Sequence, residues 1–147
     1  MIDKIRVYLD TNILIDLIID KDRPNRESSL LIIQGIMDGR FEGYFSTQSI
    51  IDAAYVAQKK EKAFEPFKKL MKMLLKHINT CSISYGDIQN ALDYYSGDFE
   101  DDAQFEEAEN LLCRFFITGD KRMDISGHPS TEMEVISPQA FINLIKQ

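Results

Sequence analysis

Ile5-Arg-Val-Tyr-Leu9, running without a break into Asp10-Thr-Asn-Ile-Leu-Ile-Asp-Leu-Ile-Ile19, is the stretch that decides the fold. The first five residues read as a short buried strand ending at Asp10. Asp10 or Thr11 then caps a helix through about residue 19. The rest of the chain keeps this alternation. Pro24 and its neighbours break the first helix, a second fits residues 26–37, and Gly39 ends it. Residues 41–45 form a short strand, after which Ser46 or Thr47 caps a helix running to about residue 60.

The next helix, residues 63–78, is amphipathic: Phe67, Leu70, Met71, Leu74 and Ile78 share one face, and Lys68, Lys72 and Lys76 another. A strand over 80–83 precedes helices over 87–95, closed by Gly97, and over 98–112. Arg114-Phe-Phe-Ile-Thr118 is an apolar strand just before Gly119-Asp120. A loop with Gly127 and Pro129 leads to a last strand at 134–136, and Ser137-Pro138 opens a final helix with proline at its first position. Strands alternating with helices predict an α/β fold with a parallel sheet covered on both faces. No repeat, low-complexity tract or linker divides the chain, so residues 1–147 read as one domain.

Bulk properties narrow the function. Cys81 and Cys113 have no spacing pattern, which argues against a disulfide scaffold and a zinc ribbon. Only two histidines are present, His77 and His128, which argues against a His-based metal site. The N-terminus lacks the pattern of a signal peptide, and no apolar stretch approaches the ~18 residues needed to cross a bilayer. The expectation is a cytoplasmic protein with no membrane partner. A net charge of −7 argues against a binder that works by phosphate neutralisation alone. The charge is also uneven: residues 77–113 carry nine Asp or Glu and no Lys or Arg, while residues 59–76 carry seven Lys and two Glu.

Asp10 and Asp120 each follow a strand, directly or after one glycine. Ligands of open parallel sheets bind outside the carboxyl ends of the strands, so the two acids are candidates for one site; each is equally readable as a helix or turn cap. Asp52 sits in the apolar helical stretch Ser49-Ile-Ile-Asp-Ala-Ala-Tyr-Val-Ala57. A buried carboxylate there costs several kcal/mol unless paired, protonated or metal-bound, although the helix can also turn it to solvent. Asp101 lies in Asp98-Phe-Glu-Asp-Asp102, where Asp98 can cap the helix and the other acids can simply favour its dipole. Converging carboxylates repel one another unless cations lie between them, and oxygen-only ligands suit Mg²⁺ or Mn²⁺. Such ions activate water and hold the oxygens of a phosphoryl displacement. No nucleophile elbow, phosphate-binding glycine loop or dinucleotide fingerprint competes with this chemistry.

In this order the motifs resemble a known family. Val7-Tyr-Leu-Asp-Thr-Asn-Ile-Leu-Ile-Asp16 resembles the opening motif of PIN-domain proteins. Ser46-Thr-Gln-Ser-Ile-Ile-Asp52, Asp98-Phe-Glu-Asp-Asp-Ala-Gln104 and Phe116-Ile-Thr-Gly-Asp120 resemble the second, third and fourth, and Val135-Ile-Ser-Pro-Gln-Ala-Phe141 the closing strand and helix. Asp52 stands where many relatives carry Glu. The resemblance implies a three-layer α/β/α fold around a central parallel sheet, and Mg²⁺- or Mn²⁺-dependent hydrolysis of RNA phosphodiesters. It implies metal-binding and catalytic roles for Asp10, Asp52, Asp101 and Asp120. Many small members are toxin ribonucleases of toxin–antitoxin pairs (VapC-type), held inactive by an antitoxin protein, and homodimers are common among them.

Thr11, Asn12, Ser46 and Thr118 are placed to orient the acids or water by hydrogen bonds; Asp102 and Asp124 are further acids near the third and fourth positions, and Asp16 reads as structural. The Lys68, Lys72 and Lys76 stripe reads as a solvated face or a phosphate contact. The rival within the fold is a non-catalytic RNA- or protein-binding module. Phosphoryl-transfer enzymes of the haloacid-dehalogenase type require an acid two residues after the first, where this chain has Asn12, and the order of acids does not match a receiver domain.

Overall fold

The structure is a computed structural model and describes residues 4–18, 23–119, 128 and 132–146. Its centre is β1, Arg6–Leu9, in which Val7, Tyr8 and Leu9 are fully buried. The strand is flanked on both sides in a five-stranded sheet of order β3-β2-β1-β4-β5, the others being β2 Glu42–Ser46, β3 Asn79–Cys81, β4 Phe115–Ile117 and β5 Glu134–Ile136. All four pairings are parallel, with Val7 opposite Gly43 on one side and Phe115 on the other.

Side chains alternate across a strand, so β1 feeds two cores. Val7 and Leu9 join Phe45, Phe115 and Ile117 on one face. There they meet α1 (Thr11–Ile18), α2 (Arg26–Met37), α3 (Thr47–Lys59), α4 (Phe64–Leu74) and α7 (Pro138–Ile145) through residues such as Ile13, Ile32, Ala53, Leu74 and Phe141. Tyr8 faces the other way and stacks on Phe116 at 5.3 Å, with Phe105 and Ala108 of α6 (Phe99–Asn110) behind them. α5 (Tyr85–Asp93) packs along α6. The result is the expected α/β/α arrangement of three layers around a parallel sheet.

Asp16 has the structural role read from sequence. Its carboxylate accepts from Arg23 Nε at 2.6 Å and from Ser29 Oγ at 3.2 Å, tying α1 to α2. Among the boundaries that differ from the sequence reading, two have a local physical cause. The apolar period of α4 runs to Ile78, yet the helix ends at Leu74, because the chain must turn into β3 at Asn79; Ile78 is still buried in the same core. α5 begins at Tyr85 rather than residue 87, because Ser84 and Asp87 form a reciprocal capping box. Lys68, Lys72 and Lys76 are all exposed. Among the described residues no helix is long and apolar enough to cross a membrane.

Helix α2 lies unusually close to the sheet at one point. A methyl group on Gly43 would clash with the Ile36 Cδ1 atom, and one on Gly35 would lie 2.5 Å from the Phe41 ring. Glycine is needed at both positions for this approach. Overpacking of such a contact typically costs ~1–3 kcal/mol, so Gly43→Ala is expected to lower the urea midpoint by that much at unchanged slope. Ile36→Val removes the clashing atom, so the double variant is expected to be more stable than the sum of the two single losses, as read from a four-protein unfolding cycle.

Candidate active site

The carboxyl edge of the sheet gathers the polar residues. β1 ends at Leu9 and delivers Asp10, whose backbone N–H still pairs with the Ile117 carbonyl at 3.1 Å. Only 3% of Asp10 is exposed. One carboxylate oxygen accepts from the Thr11 N–H at 2.7 Å; the other accepts from Thr118 Oγ1 at 2.8 Å and, more weakly, from Asn12 Nδ2 at 3.4 Å. Thr118 follows β4 directly, so the hydroxyl that orients Asp10 arrives on the neighbouring strand. Asp10 also sits just before the first turn of α1, where the helix dipole favours negative charge.

A second tier sets the helices that surround Asp10. Thr11 Oγ1 and Ser49 Oγ lie 2.8 Å apart, and Gln104 Nε2 reaches both, at 3.3 and 3.4 Å. Ser49 and Gln104 are fully buried. This Thr–Ser–Gln contact locks α1, α3 and α6 together one residue away from Asp10. It was not read from the sequence, because a lone serine and glutamine inside helices carry no signature.

On α3, Ser46 caps the helix by accepting from the Gln48 N–H at 3.1 Å, as expected of Ser46 or Thr47. Asp52 stands a turn further on, half-buried, and accepts from Gln48 Nε2 at 2.9 Å. The apolar stretch around it does not wrap it: Ile51 is 62% and Tyr55 58% exposed. Asp52 therefore points along the boundary between core and solvent.

The acids at the start of α6 divide the work. Asp98 caps the helix by accepting from the Asp101 N–H at 3.1 Å. Asp102 turns away and holds Ser96 through its N–H at 2.8 Å and its hydroxyl at 2.5 Å. Asp101 is buried in the first helical turn. Glu100, which the sequence reading passed over, reaches the cluster: its carboxylate accepts from Gln104 Nε2 at 3.4 Å and hydrogen-bonds with Asp52. Partial burial of the carboxyl group, then the bond to Asp52 and its charge, then the charges of Asp10 and Asp98, push Glu100 from an ordinary 4.5 to about 7. Two carboxyl groups can share a hydrogen bond only if one carries the proton. Asp10, Asp52 and Glu100 thus meet from a strand end and two helices. Asp120 and Asp124 lie outside the described residues.

This donor set is all oxygen. It fits a hard divalent cation such as Mg²⁺ or Mn²⁺ better than a softer ion.

Comparisons with known proteins bear on the family and the fold. The PIN-domain family model matches residues 6–122, and the chain belongs to that family. Among solved structures, VapC20 of Mycobacterium tuberculosis, a toxin that cleaves the sarcin–ricin loop, superposes with a TM-score of 0.61 at 10% identity, over 86% of this chain and 98% of the other. A toxin–antitoxin complex from Klebsiella pneumoniae is similar with a TM-score of 0.58 at 21% identity, over 87% and 98% of the two chains. VapBC2 of Rickettsia felis, bound to a DNA fragment from its promoter, gives 0.62 at 15% identity, over 90% and 98%. No curated protein matches the sequence.

The raised Glu100 group has a consequence for stability. Between about pH 4.5 and 7 the folded chain holds a proton that the unfolded chain has lost, so this group's contribution falls as pH rises through that window. Metal-free Glu100→Gln is expected to gain stability over the wild type on going from pH 5 to pH 8. Denaturant midpoints in chelator at the two pH values check it; a constant difference between the proteins would show that Glu100 is not coupled to the other acids.

Proposed function

We propose that the protein is a divalent-metal-dependent endoribonuclease, with a site built from Asp10, Asp52, Asp101 and Asp120 and joined by Glu100. The observation that carries this reading is the meeting of Asp10, Asp52 and Glu100 at the carboxyl edge of the sheet, held by the Thr11–Ser49–Gln104 contact. Membership of the PIN-domain family supports it.

Asp10, Asp52, Glu100 and Asp101 are the residues that would hold Mg²⁺ or Mn²⁺, with Asp120 as a further candidate beyond Thr118. Such an ion, when bound, supplies charge neutralisation at the phosphodiester and activation of water. The rest falls to the chain. Thr118 and the Thr11 N–H fix the Asp10 carboxylate so that both oxygens keep one orientation. Gln48 holds Asp52, and Gln104 holds Glu100. Burial and the neighbouring Asp52 favour the protonated form of Glu100, and that proton would have to leave Glu100 for its carboxylate to serve as a ligand. An RNA strand brings negative charge to a chain whose net charge is −7, so the substrate's approach depends on that cation.

The cellular role that fits is the toxin of a toxin–antitoxin pair, with an antitoxin protein as partner. The similar Klebsiella and Rickettsia structures are toxin–antitoxin assemblies, and this chain covers 98% of each matched chain.

Incubation with a mixed RNA pool, with Mn²⁺ or Mg²⁺ and with chelator, tests the reading. Metal-dependent cleavage is expected, falling to background in Asp10→Asn. Thr118→Val, which keeps the shape but removes the orienting hydroxyl, is expected to lose ~10–100-fold in metal affinity or rate. A folded wild type that neither cleaves RNA nor binds either ion would sink the enzyme reading and leave a PIN-fold binding module. Cleavage that survives chelator or Asp10→Asn would overturn the assigned site.

A further inference from the structure

One of the chain's two histidines lies in a second cluster, away from the carboxyl edge. Glu106 and Glu109 are three apart on α6 and so share a helix face. His128 Nε2 lies 2.6 Å from Glu106 Oε1 and 3.1 Å from Glu109 Oε2. The three donor atoms all fall within 4.8 Å of one another. At ~1.5 Å per residue, the two glutamates stand ~7 and ~12 Å further along the helix than Asp101. They approach the end of α6 where Leu111 accepts from Arg6 at the start of β1, near the opposite edge of the sheet.

The cluster has features beyond its acids. The His128 side chain is only 9% exposed, and its ring is wedged against Phe105 at 5.0 Å and Tyr94 at 5.3 Å, which fixes the direction of Nε2. Nδ1 is buried and has no hydrogen-bond partner among the described residues. The Glu106 side chain is 7% exposed. Among the described residues, His128 Nε2 faces a carboxylate oxygen of each of the two glutamates. The group opens on a cleft of about 510 Å³, also lined by Asn90, Tyr94 and Asn110. That cleft leaves room for water to complete a coordination shell.

We propose that Glu106, Glu109 and His128 form a second cation site, for a first-row transition ion of the Zn²⁺ type. Two ligands about 2.1 Å from an ion at a tetrahedral angle lie ~3.4 Å apart. The observed separations of 2.6 and 3.1 Å therefore need only a sub-ångström spread once an ion replaces the Nε2 proton. Three protein ligands with an open position toward a cleft is a recurrent zinc arrangement. An imidazole among carboxylates selects a transition ion over Mg²⁺, whereas the all-oxygen cluster at Asp10 has the reverse preference. The two sites would therefore hold different ions. An ion at the second site ties residue 128, eight positions beyond Asp120, to the helix that carries Asp101.

The test is to titrate the metal-free protein with Zn²⁺ alone in excess Mg²⁺, counting bound zinc, and with Co²⁺, reading visible absorption. Wild type and Asp10→Asn are both expected to bind one equivalent of Zn²⁺ that Mg²⁺ does not displace, and to give the same cobalt spectrum. His128→Ala and Glu109→Gln are expected to lose at least ~10-fold in Zn²⁺ affinity, because loss of a ligand's supporting partner alone costs that much. Unchanged affinity in both variants would overturn the site, as would zinc binding that only Asp10→Asn abolishes. Should His128→Ala fail to fold, the wild-type His128 ring resonances decide. They shift on adding Zn²⁺ if the site is real, and stay in place if it is not.

Discussion

The carboxylate of Asp10 is buried at the end of a strand whose last three residues are fully buried, and much of the structure exists to make that tolerable. An unpaired buried carboxylate costs several kcal/mol. Here the Thr11 N–H, the Thr118 hydroxyl and the first turn of α1 supply compensating dipoles. The compensating groups come from two parts of the fold: the following helix and the end of the neighbouring strand. The parallel register that sets Leu9 opposite Ile117 is what brings Thr118 to Asp10. A one-residue slip would turn Thr118 to the other face and leave the charge without its hydroxyl.

Around this charge, positioning comes from neutral groups. The Thr11–Ser49–Gln104 contact joins α1, α3 and α6 without adding charge of its own. The distances to Gln104 Nε2 are long, and the buried Gln104 Oε1 has no hydrogen-bond partner among the described residues. Such a group carries a desolvation cost of ~1–3 kcal/mol. A site that must hold acids close together bears strain of this kind, and the large apolar core on the α1, α2, α3, α4 and α7 face offsets it.

Much of the fold was legible because its signals are local. The Ile5–Leu9 run, the caps at Ser46, Asp98 and Ser137, Gly39 and Pro138 each act within a turn of chain, and each is found in its expected role. Asp10 and Asp52 were legible as unusual carboxylates for the same reason. The division of labour within Asp98-Phe-Glu-Asp-Asp102 was not: in a run of acids the sequence does not say which side chain caps, which turns back to Ser96 and which reaches α3. That depends on where α6 lies against α3, a tertiary fact. His128 shows the limit again. Its contacts with Glu106 and Glu109 were not legible, because those residues lie 22 and 19 positions earlier in the chain, on a helix read only as acidic.

The acidic stretch between residues 77 and 113 contains no Lys or Arg, so its carboxylates have been settled by other means. Asp87 completes a capping box and accepts from Asn110; Asp98 caps α6; Asp102 holds Ser96; Glu107 accepts from the Cys81 thiol. In each case neutral donors do what cations do elsewhere, at the modest net value of a hydrogen bond to a charged group. The supply falls short in two places. Glu100 meets Asp52 with one long amide contact between Gln104 and its carboxylate, and Glu106 and Glu109 share a single imidazole. A chain that satisfies its other acids with neutral donors and leaves two groups of carboxylates facing each other has placed its remaining electrostatic demand at those two points. A cation from solution meets that demand with least rearrangement: a hard one among the carboxylates at the carboxyl edge, and a softer one beside the histidine.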